Sequence, residues 1–108
     1  SVKEVNNVTN ASTSISTARK SAVRNAWKLE AENVKNGGNG ISRIWSNDEK
    51  IELITTGKVQ GYHGHHMKSV NMYPSIAWDP NNIQFLTPAE HFKAHNYNWR
   101  NPTHGKYR

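Results

Sequence analysis

Two stretches decide the fold: Tyr62-His63-Gly64-His65-His66-Met67, and Asn81-Asn82-Ile83-Gln84-Phe85-Leu86-Thr87-Pro88-Ala89-Glu90-His91-Phe92-Lys93-Ala94-His95. Four of the chain's six histidines fall in two tight clusters, Gly64-His65-His66 and His91-x-x-x-His95. Residues 83–86 read as a short strand. Thr87 then serves as N-cap and Pro88 as first helical residue. Glu90 completes a capping box, which opens a helix running to about residue 96. On that helix His91 and His95 share one face, roughly one turn or ~6 Å apart. Residues 58–67 read as an extended stretch in which His63 and His65 share a face and His66 points the other way. Gly64 permits a close backbone approach there. The order from residue 61 is strand, loop (68–81, with Pro74 and Pro80), strand, helix. Two helix histidines form a clamp for a metal ion. The upstream pair supplies a third ligand and has one imidazole left over, and a metal with a spare base is hydrolytic equipment.

Outward from this core the pattern is helical. Ile15, Ala18, Ala22, Ala26 and Leu29 recur at three- and four-residue steps, widened by Val23, Trp27, Ala31 and Val34. A helix is expected over 15–35, capped by Ser14 or Ser16 and stopped by Gly37-Gly38. Arg19, Lys20, Arg24 and Lys28 crowd it, as a solvated face or as a surface for phosphates. A second helix is expected over 47–55, with Ser46 and Glu49 as its capping box, Gly57 at its end, and Ile51, Leu53 and Ile54 as its apolar side. Trp45 is a core anchor. Residues 1–14 are rich in Asn, Ser and Thr and read as a linker or frayed end, leaving 15–108 as the domain. The tail beyond residue 96 is basic and aromatic, with a turn at Asn101-Pro102.

The chain has 108 residues, which suits one domain with a modest core, and only 34% of them are hydrophobic. A metal would help so thin a core, because its binding energy is coupled to folding. The net charge of +6 and pI near 9.8 suit solubility or a polyanion partner such as nucleic acid. With no cysteine, disulfides, thiolate metal sites and cysteine nucleophiles are excluded. No apolar stretch approaches the length of a membrane span. Ser1 in place of Met leads to the expectation of a fragment of a longer protein.

His65-His66, Asn82-Ile83, Thr87-Pro88 and His91-x-x-x-His95, in that order, resemble the ββα-metal motif of HNH nucleases. Among these the chain is most similar to colicin DNase domains and to the GHH-signature nucleases of bacterial polymorphic toxins. The resemblance implies an α+β domain with N-terminal helices and a C-terminal ββα-metal motif at about 61–96. Phosphodiester hydrolysis needs a deprotonated water, a stabilised anionic phosphorus centre and a neutralised leaving oxygen. One divalent metal serves the last two and a neutral imidazole the first. The resemblance assigns His65, His91 and His95 as metal ligands, His66 as general base, and Asn82 as the structural tie of the loop between the strands.

His63 stands where the colicin type has an acidic residue, so its part is open. It and Lys68, Lys93 and Arg100 are candidate phosphate contacts, and His104 reads as a tail residue. Three imidazoles favour Zn²⁺ on softness grounds, with Mg²⁺, Mn²⁺ or Ni²⁺ as further catalytic candidates. The expected activity is cutting of DNA with low sequence specificity, leaving 3′-hydroxyl and 5′-phosphate ends. The context implied by the resemblance is the C-terminal toxin domain of a secreted bacterial protein, delivered into a target cell and acting in its cytoplasm. An acidic cognate immunity protein would protect the producer. The rivals are an RNase toxin of the same fold, a non-catalytic metal-stabilised nucleic-acid-binding module, and the nuclease domain of a mobile element or restriction system.

Overall fold

No glycine or proline interrupts residues 11–35, and in the computed structural model, which describes residues 11–108, α1 runs unbroken over Ala11–Lys35. The helix starts four residues before the expected Ile15. Ser14 and Ser16 therefore lie inside it, exposed, and neither caps it. Serine costs only ~0.5 kcal/mol relative to alanine inside a helix, so a helix already held by packing extends over such residues. The rest of the expected linker, residues 1–10, lies outside the described residues. Ala22 and Ala26, buried on the inner face, let α1 approach closely the turn at Pro80–Asn82 and the second strand.

The α2 helix, Asn47–Thr56, carries the expected reciprocal capping box between Ser46 and Glu49, and Gly57 ends it in the left-handed region at φ 87°. Its apolar side differs from expectation. Leu53 is fully buried, whereas Ile51 and Ile54 are 65% and 45% exposed. At 100° per residue Ile51 lies about 200° around the axis from Leu53, so a short helix touching α1 along one line cannot bury both.

The β1 strand is confined to His63–His66 rather than the whole of 58–67, because a turn at Gln60-Gly61 (Gly61 φ 90°) precedes it. It pairs antiparallel with β2, Ile83–Leu86, with His63 opposite Leu86 and His66 opposite Ile83. Every residue of β2 is buried. Phe85 stacks on Trp27 of α1 at 3.6 Å between ring centroids. Gln84 is satisfied by the tail, donating to the Tyr107 carbonyl (2.8 Å) and accepting from its N–H (2.9 Å). The loop between the strands holds single 3₁₀ turns at Pro74–Ile76 and Pro80–Asn82.

The α3 helix spans Pro88–Ala94, with the expected Thr87/Glu90 box. It stops two residues short of 96. His95 is its C-cap, and Asn96 and Tyr97 adopt positive φ (53° and 60°), with their N–H groups returning to the Lys93 and Phe92 carbonyls. Glu30, in α1, is 2% exposed, and its carboxylate accepts from the Ile41 and Ser42 N–H groups and the Trp45 indole. That knot fixes the loop leading to α2 and seats Trp45 in the core beside Tyr62.

Candidate metal centre

The antiparallel register sets β1 beside α3, and strand alternation turns His65 inward, where it is 2% exposed. The helical spacing of His91 and His95 presents both to it. The three rings form a nearly equilateral triangle, with centroids 4.9 Å (His65–His91), 5.1 Å (His65–His95) and 5.2 Å (His91–His95) apart. One ring nitrogen from each lies within 4.8 Å of the others. Trp99 walls the triangle, 4.8 Å from His91 and 5.3 Å from His95.

The donor chemistry suits a divalent ion. His65 Nε2 and His91 Nδ1 are buried with no hydrogen-bond partner among the described residues, a costly state that a metal would relieve. His95 Nδ1–H donates to the Asn101 carbonyl at 2.8 Å, which leaves Nε2 with its lone pair. Burial, reinforced by His91, His95 and His66, lowers the His65 pKa to about 3. Burial, with His95 and His63, lowers that of His91 to about 4. Both rings are thus neutral near pH 7 and can ligate. Three neutral imidazoles match zinc and its first-row neighbours.

His66 stands on the other face of β1, yet it borders the same cavity of about 170 Å³ as His65, His91, His95 and Arg100. Its Nε2–H donates to the Ala77 carbonyl at 2.9 Å, so the ring is held in the tautomer with a free lone pair on Nδ1. Burial lowers its pKa; the Ala77 bond opposes this and Arg19 adds to it. Gly64, between the histidines, has no room for a side chain: a Cβ there would stand 2.7 Å from Cγ2 of Val23 on α1. The strand therefore lies directly against that helix.

Asn82 clasps the ends of the interstrand loop. Its Oδ1 accepts from the Lys68 N–H (2.9 Å), its Nδ2 donates to the Lys68 carbonyl (3.0 Å), and its own carbonyl accepts from Met67 N–H (2.8 Å). Other predicted residues stay apart. His63 is exposed, 5.8 Å from His91 and outside the triangle. Lys68 leans over Tyr73 (5.6 Å), Lys93 projects from α3 into solvent, and neither lines the cavity. His104 Nδ1 sits 2.9 Å from the Tyr73 hydroxyl.

Three residues were not singled out from the sequence. Asn101, read only as part of a turn, also donates its side-chain amide to the His95 carbonyl (3.1 Å) and so holds His95 from both ends. Arg19, read only as one of several cations, lines the cavity. Arg43 donates to the Phe85 carbonyl (3.0 Å) and to Glu90 (2.9 Å) and lies over Tyr62 (4.5 Å), bolting the start of α3 to β2. That bond to Arg43 is the main reason the Glu90 carboxyl sits below its ordinary range.

Residues 11–87 match the family described as a GHH signature containing HNH/Endo VII superfamily nuclease toxin. The match ends before His91 and His95, which are joined to the site by the geometry above. The chain is also similar to Teneurin-3 of Mus musculus, 45% identical over 73 residues, or 68% of this chain and 3% of the relative. Teneurin-4 of Homo sapiens (41%) and Teneurin-m of Drosophila melanogaster (40%) match over the same shares. The chain thus spans about 3% of the length of the curated relatives it matches.

Proposed function

This chain belongs to the GHH-signature family of HNH/Endo VII superfamily nuclease toxins, and from that premise we propose that it is a metal-dependent endonuclease hydrolysing DNA phosphodiesters with low sequence specificity. The observation that supports this best is the convergence of His65, His91 and His95 on one side of a cavity that His66 borders with a free lone pair.

His65, His91 and His95 would hold the ion, and Asn101 orients His95. When bound, a divalent ion neutralises charge on the phosphate and on the leaving 3′-oxygen. His66 Nδ1 takes the proton from the attacking water. The Nε2–H bond to Ala77 steadies the imidazolium so formed, because a carbonyl oxygen accepts better from a cationic donor. Asn82 keeps the strand end carrying His66 in place by closing the loop that supplies Ala77. Arg100 faces the phosphate from the cavity wall, while Lys68, Lys93 and His63 meet flanking phosphates. Zinc is the occupant favoured by the donor set, with Mg²⁺, Mn²⁺ or Ni²⁺ as alternative catalytic ions.

The same proposal extends to context: a toxin delivered into a bacterial target cell, acting in its cytoplasm, and held in check by an acidic immunity protein. The net charge of +6 supports that partner. The chemistry is tested first, by incubating the purified domain with supercoiled plasmid, rRNA and tRNA, with EDTA and then a metal panel. Nicking and linearisation of plasmid, stopped by EDTA and restored by metal, is the expected result. Cutting of RNA alone would assign the domain to RNase toxins. Intact nucleic acid in every lane, with metal bound, would leave a binding module.

A further inference from the structure

A second cavity, a groove of about 490 Å³, runs along α1 and ends at His66. Arg19, Lys20 and Arg24 line it from the helix, and Lys58, just beyond the Gly57 cap of α2, lines it as well. No acidic side chain among the described residues lines it. Positions 19/20, 23/24 and 27 recur at helical spacing and share one face, so the cations stand one turn, ~5.4 Å, apart along a line toward the site. Val23 and Trp27 add apolar surface between them. Arg19, Gly64 and His66 border both this groove and the metal cavity, which makes the two continuous.

We infer that this groove seats the sugar–phosphate backbone of the cut strand beyond the scissile phosphate, with Lys20, Arg24 and Lys58 as phosphate contacts. This rests on the nuclease reading and adds to it the path of the substrate. A strand lying here meets rows of cations at its phosphates and the faces of Val23 and Trp27 at its sugars or bases, the combination that nucleic-acid channels use. A phosphate entering from the groove arrives at the face of β1 where His66 stands. The Gly64–Val23 contact keeps helix and strand in register, so the groove and the general base are built on one wall.

The test reads salt dependence rather than cutting. In a His66→Ala background loaded with Zn²⁺, fluorescence anisotropy of a labelled DNA duplex is followed across a KCl series. The groove variant adds Lys20→Gln, Arg24→Gln and Lys58→Gln. The control adds Lys35→Gln, Lys50→Gln and Lys106→Gln, the same reduction in charge at positions that do not line the groove. Removing one cation that neutralises a phosphate flattens the slope of log K against log salt concentration by ~0.9, so the groove variant flattens by ~2.7 and the control by far less. The single variants Arg24→Gln and Lys58→Gln, at exposed positions, each flatten it by ~0.9 and stand in if the triple variant melts early. Equal slopes for groove and control variants overturn the inference and leave the nuclease reading intact. A groove variant that fails to bind poly-glutamate but still binds DNA also overturns it, in favour of an acidic protein partner. If the His66→Ala protein binds no DNA, both readings fall.

Discussion

The two halves of the molecule are held together by different physics. Residues 11–56 bury Ala22, Ala26, Ala31, Val34, Trp45 and Leu53 around one satisfied carboxylate, Glu30. Residues 63–104 bury His65, Asn82 and Gln84 among a smaller set of apolar side chains, and two of the three triangle histidines keep ring nitrogens without partners among the described residues. The first half is stabilised by apolar area and close packing. The second is arranged around polar groups whose balance depends on protons and, in the proposed reading, on an ion. The helices therefore supply most of an apolar core that Ile83 and Phe85 complete from β2, and against it an otherwise costly cluster of imidazoles is assembled.

The sharpest way to separate the halves is His66→Ala, which removes the proposed base and none of the ligands. Cutting should fall ~10²–10⁴-fold with metal affinity and melting temperature kept. Plasmid nicking at the parental rate would show that the base lies elsewhere. Next comes a pair of changes. His95→Ala should weaken metal binding by more than ~10²-fold and abolish the melting-temperature difference between zinc-loaded and EDTA-treated protein. Leu53→Ala should cost ~2–5 kcal/mol in denaturant unfolding equally in both states. If the chelator changes the cost of the Leu53 substitution, the halves are not separable in this way.

Gly64→Ala tests their join. The added methyl meets Val23, so ~1–3 kcal/mol should be lost, and Val23→Ala in the same chain should restore part of it. No rescue would mean that the glycine serves something other than the contact with α1. Asn101→Ala removes only the side-chain bond to the His95 carbonyl and keeps the backbone carbonyl that accepts from His95 Nδ1–H, so metal affinity should fall by less than ~10-fold, with little effect on folding in EDTA. Acid bears on the second half through its histidines. The unfolded histidines titrate near 6.5, and His65 and His91 in the folded chain near 3 and 4. Between those values the unfolded state binds more protons, so these groups stabilise the fold above pH 6.5 and lose that contribution as pH falls toward 4. Denaturation midpoints of metal-free protein at about pH 7.5 and about pH 5.0 check the sign. A midpoint that rises on acidification would contradict it.

What the sequence disclosed and what it hid divide along contact range. Both capping boxes, the Gly57 stop and the 83–86 strand rest on residues a few positions apart, and all appear where the spacing placed them. Helical spacing put His91 and His95 on one face and pointed to a third ligand upstream, but that His65 is the one that meets them was legible only through the resemblance to the ββα-metal motif. Hidden were features set by partners far along the chain. Glu30 binding the loop at 41–45, Arg43 reaching Phe85 and Glu90, and Asn101 gripping His95 have no periodic signature. The exposure of Ile51 and Ile54 follows from the narrow seam between α1 and α2, which composition cannot show. Likewise the helix entered the serine- and threonine-rich stretch, because its packing against the rest of the fold outweighed the local preference of those residues.

Gly64 is the one member of its triplet with no part in the proposed chemistry, and the atom it lacks is what allows a strand and a helix to touch. A Gly-His-His triplet is therefore as much a gauge of thickness as a catalytic signature. Where the same letters occur with no helix pressed against them, nothing demands the glycine. Searching for the triplet together with a small branched residue on an upstream helix should pick out true two-layer assemblies from chance runs of histidine.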